Sequence, residues 1–257
     1  METKQNKEKP SKPQGSRPIP SPVNDPLTNQ NLRKDEGRWQ YFDLPSIPLV
    51  HIIVPPSIIT HLWKCIEQAK KKNIDCRDTL AGNITSSLAL EDIDNKFYRH
   101  ILANPVQEYL NDYTDALSNT FTSPFIDDND VGNKECEIVL SQMWVNFQKK
   151  HEFNPFHHHK GLLSFVLWLR CPTEYEAQKK LEIAKTSNSS SISNVAFFYQ
   201  DILGGTRTHM VEMGQRAQSN MYLFPSALNH EVYPFYECDT ERVSISGNIM
   251  LRKKVDS

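Results

Sequence analysis

The sequence predicts a mainly β protein whose helices come first and pack against one side of a largely antiparallel sheet sandwich. Three observations predict it. Helical periodicity is confined to about residues 55–121. After about residue 136 the chain turns to short aromatic and β-branched runs separated by polar loops. Ahead of both lies a polar, proline-rich segment that fits neither pattern.

That segment, residues 1–36, carries Pro10, Pro13, Pro18, Pro20, Pro22 and Pro26 and almost no large apolar side chains. It cannot bury enough surface to offset its ordering entropy, so it reads as a disordered tail before a single domain over 37–257. Folded sequence begins near Trp39 with WQYFDLPSIPLVHIIV. Pro55, Pro56 and Ser57 then suit a helix N-terminus. Ile58, Leu62, Ile66 and Ala69 fall on one stripe, and Lys70–Lys72 stand where the helix dipole favours cations. A second helical region runs from about Ile93 to Thr120, with a break expected at Asn104-Pro105. Its apolar faces are Tyr98, Ile101 and Leu102, then Val106, Tyr109, Leu110 and Tyr113. The β region, about 136–254, contains EIVLSQMWVNFQ, LLSFVLWLRCP, NVAFFYQDI, NMYLFPS and RVSISGNIML as strands. KTSNSSSISN reads as a low-complexity, mobile loop, and Gly204-Gly205-Thr206 as a turn.

Composition narrows the function classes. Lys plus Arg is 29 and Asp plus Glu is 31, a net charge of -2, which disfavours nucleic acid as a partner. A local basic groove would be invisible in that sum. No run approaches the roughly 18 apolar residues of a membrane span, and the first residues lack a secretory h-region. The five cysteines, Cys65, Cys76, Cys136, Cys171 and Cys238, contain no CxxC pair and read as free thiols, mostly buried. A cytoplasmic, reducing location is the expectation.

Chemistry concentrates in two places. Asn154-Pro155-Phe156-His157-His158-His159-Lys160-Gly161 stands just before a strongly apolar strand. At the mouth of a strand residues i and i+2 point the same way, so His157 and His159 can share one ion while His158 faces elsewhere. From these three residues alone, a solvated histidine-rich turn is the commoner arrangement. The second place begins at Phe224-Pro225-Ser226, followed by His230 and, twelve positions on, by Arg242. Period-two alternation puts Arg242 and Ser244 on one strand face, with Val243 and Ile245 on the other. An inward arginine is costly unless it meets an anion, and a carboxylate suits its fork. The anion could equally be an inward Asp or Glu in a structural salt bridge. His209 reads as a surface residue or part of a substrate loop.

Together, the His-x-His pair ahead of a strand, the FPS-x-L-x-H histidine and the R-x-S about a dozen residues later resemble the iron(II)- and 2-oxoglutarate-dependent oxygenases. QMWVNFQKKHEFNPFHHHKGLLSFVLWL and LAGNITSSLAL look similar to oxygenases of tailed phages, especially marine ones, which would place the protein in an infected host cell. The resemblance covers roughly residues 40–252. It implies a double-stranded β-helix, the jelly-roll or cupin-like core, with the helices outside. It also implies His157 and His230 as iron ligands and Arg242, helped by Ser244, as the anchor for the distal carboxylate of 2-oxoglutarate. Asn146 and Trp144, on the inward face of their strand, become candidates for the cosubstrate or substrate pocket, and His158 a further pocket candidate. The implied cofactors are Fe(II), 2-oxoglutarate and O2, and the implied reaction is a dioxygenase hydroxylation releasing succinate and CO2.

One departure stands out. The usual facial triad is two histidines and a carboxylate, but the position two after His157 is His159. His159 is then the first choice of third ligand, with water or another carboxylate second, and the site carries one extra positive charge. The missing carboxylate also supports a jelly-roll binding or virion-associated module that has lost turnover. A zinc-type hydrolytic centre of His157, His159 and His230 is a third reading, but leaves Arg242-x-Ser244 without a role. The substrate, a small molecule or a peptide, cannot be read from the sequence.

Overall fold

The structure, a computed structural model, describes residues 38–43, 48–118, 136–201 and 203–254. The expected tail therefore lies outside the described residues. Strands β1 (Arg38–Asp43) and β2 (Pro48–Ile53) form an antiparallel pair, followed by helix α1 (Pro56–Lys72), the short strand β3 (Ser87–Ala89) and helix α2 (Ala103–Ser118). Strands β4 (Cys136–Gln148), β5 (Asn154–His157) and β6 (Leu163–Arg170) come next, then a single turn of helix α3 (Tyr175–Gln178). Strands β7 (Val195–Gln200), β8 (Thr206–Val211), β9 (Asn220–Pro225), β10 (Asn229–Val232) and β11 (Arg242–Lys253) complete the chain.

A seven-stranded sheet has the order β1-β2-β9-β6-β11-β4-β3, and a four-stranded sheet the order β5-β10-β7-β8. Every pairing is antiparallel. From β4 onward the chain passes back and forth between the two sheets, with β4, β6, β9 and β11 in one and β5, β7, β8 and β10 in the other. That winding is a double-stranded β-helix, and β1, β2 and β3 widen its larger sheet at both edges.

The period of two explains how the strands serve two cores. Val243, Ile245 and Ile249 of β11, with Val145 and Phe147 of β4 and Phe165, Leu167 and Leu169 of β6, face outward. There they pack against Ile58, Leu62, Cys65, Ile66 and Ala69 of α1 and Val106, Tyr109 and Leu110 of α2. The inner core joins Val166 and Trp168 of β6 to Val195 and Phe197 of β7 and Tyr222 and Phe224 of β9. β6 is covered on both faces and is buried nearly throughout, hence its unbroken apolar sequence. No helix among the described residues is long and apolar enough to cross a membrane.

Helix α1 follows its sequence signals. Pro56 opens it, the expected stripe is buried, and Asn73 ends it in the left-handed conformation (φ 51°) with its N–H on the Ala69 carbonyl. The expected break at Asn104-Pro105 is not there. Instead the turn Tyr98–Leu102 widens to π spacing, with the Ala103 N–H on the Tyr98 carbonyl, and α2 runs on through Pro105. The wider turn makes room for a residue that has no N–H to donate. The departure from helical geometry comes later, at Tyr113 (φ −129°).

The loop before β7 also differs from expectation. Its last residues, Ser193 and Asn194, are fully buried, and Asn194 accepts the Met213 N–H at 2.9 Å. Of the five free cysteines only Cys65 and Cys171 are buried; the other three are intermediate. In mid-β11 Gly247 is closely hemmed in: an added Cβ would lie 2.6 Å from the Gln142 carbonyl and 2.7 Å from the Phe165 ring. Gly247→Ala is expected to cost about 1–3 kcal/mol by overpacking, read as a lower urea midpoint; an unchanged midpoint would refute the tight contact.

Candidate metal centre and cleft

The inward faces of β4 and β11 leave a polar strip inside the barrel. In register lie Gln148 with Arg242, Asn146 with Ser244, and Trp144 with Ser246. Across from them β10 pairs with β5, setting His230 directly beside His157. His159 follows on the loop after β5, where its N–H donates to the Ser226 carbonyl at 2.8 Å. Their ligating atoms all lie within 4.8 Å of one another, and the His159 and His230 Nε2 atoms are 3.1 Å apart.

The ring orientations fit a metal. His157 Nδ1 lies 2.6 Å from the Pro155 carbonyl and His230 Nδ1 2.9 Å from that of Leu228. A carbonyl only accepts, so these Nδ1 atoms carry the ring protons and Nε2 presents its lone pair. Burial lowers the pKa of all three: His157 below the usual value, His159 to about 3, and His230 well below it. Proximity to the other histidines adds to each shift. All three rings are therefore neutral at pH 7, the state that ligates. Two nitrogens about 2.1 Å from one metal at a right angle stand about 3.0 Å apart, close to the observed spacing. Among the described residues no carboxylate joins the cluster. Glu152, the nearest upstream, accepts the Thr85 and Lys149 N–H groups instead.

These shifts have a consequence for stability. Histidines whose folded pKa is depressed bind no proton as the pH falls through about 6.5, whereas the unfolded chain does. Stability should thus be level above about pH 7 and fall below 6.5, by up to about 1.4 kcal/mol per pH unit for each ring that stays neutral. Urea unfolding of metal-free protein at pH 7 and 5.5 measures it; equal stabilities would contradict the buried neutral rings.

A cleft opens on the cluster. Trp144, Asn146, Gln148, Ser244 and Ser246 form one wall, with Val166, Trp168, Val195 and Phe224 beneath. The segment Leu80–Gly82, Ile84 and Asn154 form another. That segment is pinned where the Asn83 N–H donates to the Phe153 carbonyl at 2.8 Å. Asn154 Oδ1 is buried with no hydrogen-bond partner.

Arg242 lies just behind this wall, 1% exposed. Nη2 donates to the Ser193 carbonyl and hydroxyl, both at 2.7 Å, and Nη1 to Gln148 Oε1 at 3.4 Å. The guanidinium lies over the Phe235 ring, 5.1 Å from its centroid, and Nε has no partner. Burial pulls its pKa down to about 10, so it is still charged at pH 7. Its titrating neighbour Cys171 is pushed up to about 11 by burial, so that thiol is neutral. Among the described residues, then, a fully buried cation has no counter-charge.

The structure thus brings His157, His159 and His230 together, with Trp144, Asn146 and Ser244 around them. The remaining residues singled out from the sequence lie as follows. The hydroxyl on Arg242 is that of Ser193 rather than Ser244, and Arg242 itself does not line the cleft. His158 is exposed and stands outside the wall. His209 is half-buried on β8 beside Phe197. Gln148, Ser193 and Asn154 were not singled out from the sequence. Gln148 continues the Trp144, Asn146 alternation and could have been found that way; Ser193 carries no local signal.

Comparison with known proteins adds the following. Residues 142–248 match the model of a family described as "Putative 2OG-Fe(II) oxygenase". The match takes in all three histidines, Arg242 and Ser244. Among solved structures, a prolyl-4-hydroxylase of Pseudomonas putida is similar at 13% identity and TM-score 0.45, over 84% of this chain and 93% of that one. An oxidoreductase of the 2OG-Fe(II) oxygenase family from Burkholderia pseudomallei is similar at 13% identity and TM-score 0.38, over 79% and 84%. No curated protein matches. The stretch that carries the three histidines and Arg242 is therefore similar to the 2OG-Fe(II) oxygenase family.

Proposed function

We propose that this protein is an iron(II)- and 2-oxoglutarate-dependent oxygenase that hydroxylates a small molecule or a peptide segment. The observation that carries the reading is Arg242, a buried guanidinium without a counter-charge beside a cleft on three convergent, neutral imidazoles. A dicarboxylate keto-acid answers both ends of that arrangement.

His157 and His230 would hold iron(II) through Nε2, oriented by the carbonyls of Pro155 and Leu228. His159 would complete the face as a neutral third ligand. Bound there, iron(II) supplies the redox chemistry that couples oxidative decarboxylation of 2-oxoglutarate to hydroxylation of a C–H bond. The rest is the work of the protein. Arg242 pairs with the distal carboxylate, the long 3.4 Å bond to Gln148 being the easiest of its contacts to exchange. Asn146 and Ser244 offer polar contacts along the keto-acid. Trp168, Val195 and Phe224 keep water from the reacting end. Substrate would enter against Leu80–Ile84, where Asn154 Oδ1 can accept a hydrogen bond.

The missing carboxylate favours one competitor, a scaffold that binds but does not turn over. Anaerobic titration with iron(II), with and without 2-oxoglutarate, separates the readings by visible absorption. A keto-acid bound through two atoms to iron(II) gives a weak charge-transfer band that neither component shows alone. Appearance of the band, its loss on admitting oxygen and formation of succinate are expected. A stable band without succinate would favour the binding module; iron binding without a band would overturn the cosubstrate assignment.

A further inference from the structure

A second group of metal-ligating side chains lies on the far side of the larger sheet. His61 and Cys65, one turn apart on α1, meet Asp92 on the chain between β3 and α2. His61 Nε2 is 3.2 Å from Asp92 Oδ1 and 3.5 Å from Cys65 Sγ. All three ligating atoms lie within 4.8 Å of one another. The His61 and Asp92 side chains are 11% and 3% exposed, and Cys65 is buried.

Hydrogen bonding satisfies Asp92, and the Ile93 backbone also contacts the Cys65 sulfur, but one mismatch is left in this group. One nitrogen, Nε2, faces both a carboxylate and a thiol, and it has one lone pair or one proton to offer. If it donates to Asp92 it cannot accept from Cys65; if it accepts from Cys65 it meets the carboxylate lone pair to lone pair. A cation among the three atoms removes the conflict. Tetrahedral zinc, with bonds of about 2.0 Å to N and O and 2.3 Å to S, sets N and O about 3.3 Å apart and N and S about 3.5 Å apart. The observed separations agree with both.

The surroundings are built for a ligand set. Asp92 accepts the N–H groups of Phe97 and Tyr98 at 2.9 and 2.8 Å, which fixes the carboxylate. A small cavity beside Cys65 is lined also by Gln68, Lys72 and Glu91. We propose that His61, Cys65 and Asp92 form a zinc-type site that clips helix α1 to the segment leading into α2. Binding replaces the Cys65 thiol proton, which leaves to solvent, by the metal–sulfur bond. The proposal is independent of the oxygenase reading, because no thiol lies in the three-histidine cluster.

Cobalt(II) titration of the full-length, metal-free protein under reducing conditions tests it. A thiolate bound to cobalt gives an intense near-ultraviolet charge-transfer band, which a site of histidines alone cannot. The band should vanish in Cys65→Ser, and in His157→Ala/His230→Ala it should persist and saturate at one equivalent. Zinc should also raise the melting temperature of that double variant, and not of the same protein carrying Cys65→Ser. No band in the wild type, or a band that survives Cys65→Ser, would overturn the site. Should the double variant not fold, the comparison of wild type with Cys65→Ser decides alone.

Discussion

Arg242→Met is expected to weaken 2-oxoglutarate binding by about 2–5 kcal/mol, roughly 30- to 5,000-fold, the cost of removing one partner from a buried charge pair. Methionine roughly fills the space and removes the charge. Stability of the free protein is the wrong readout, because two effects oppose. The change relieves a buried cation with an unpartnered Nε, yet strips the Ser193 carbonyl and hydroxyl of their donor. Ligand protection is cleaner. At a hundred times its Kd the keto-acid should stabilise the iron(II)-loaded wild type by about 2.7 kcal/mol, and the variant scarcely at all. Equal protection of both would make Arg242 a structural tie for the loop before β7 and remove the main support for the cosubstrate.

His159→Asp should change iron retention in the opposite direction. A carboxylate in place of a neutral ring puts a negative charge against a dication, and even partial realisation of that attraction amounts to tenfold or more in affinity. His230→Ala should lose well over 100-fold, since loss of an outer-shell partner alone costs about 10–100-fold. Competition with a chelator under anaerobic conditions measures all three proteins. If His159→Asp binds iron no better than wild type, His159 is not a ligand, and its contacts with His230 and Trp144 are packing.

What the sequence made legible follows from how local each signal is. Helix α1 was visible because its stripe, its opening proline and its terminal lysines all lie within seventeen residues. β6 was visible as an unbroken apolar run, and β4 and β11 because each is long and sets apolar residues such as Val145 and Phe147 or Val243 and Ile245 in alternation with polar ones. β5, β8 and β10 read NPFH, TRTHMV and NHEV, too short and polar to declare themselves. They are strands because distant partners supply their hydrogen bonds. The same division runs through the site. His157 and His159 were linked by a spacing of two, and His230 and Arg242 by their place around β10 and β11. Ser193 reaches Arg242 from 49 residues away, and the 80–84 segment comes beside Asn154 through the long-range Asn83–Phe153 bridge. No local pattern encodes either contact.

The cleft has a divided origin. Its histidines and polar strip, with Arg242 behind them, come from residues 142–248, whereas the wall at Leu80–Ile84 is contributed by the chain ahead of them. Among its ties are the Asn83 bridge to Phe153, the Glu152 carboxylate on the Thr85 N–H, the Phe147 N–H on the Ser86 carbonyl and the short pairing of β3 with β4. Exchange of this one stretch would therefore alter which molecules are admitted while leaving the reactive end untouched. On the proposed oxygenase reading, selectivity and reactivity are then inherited separately, and a lineage could retune the first by recombination at a surface segment without re-evolving the second.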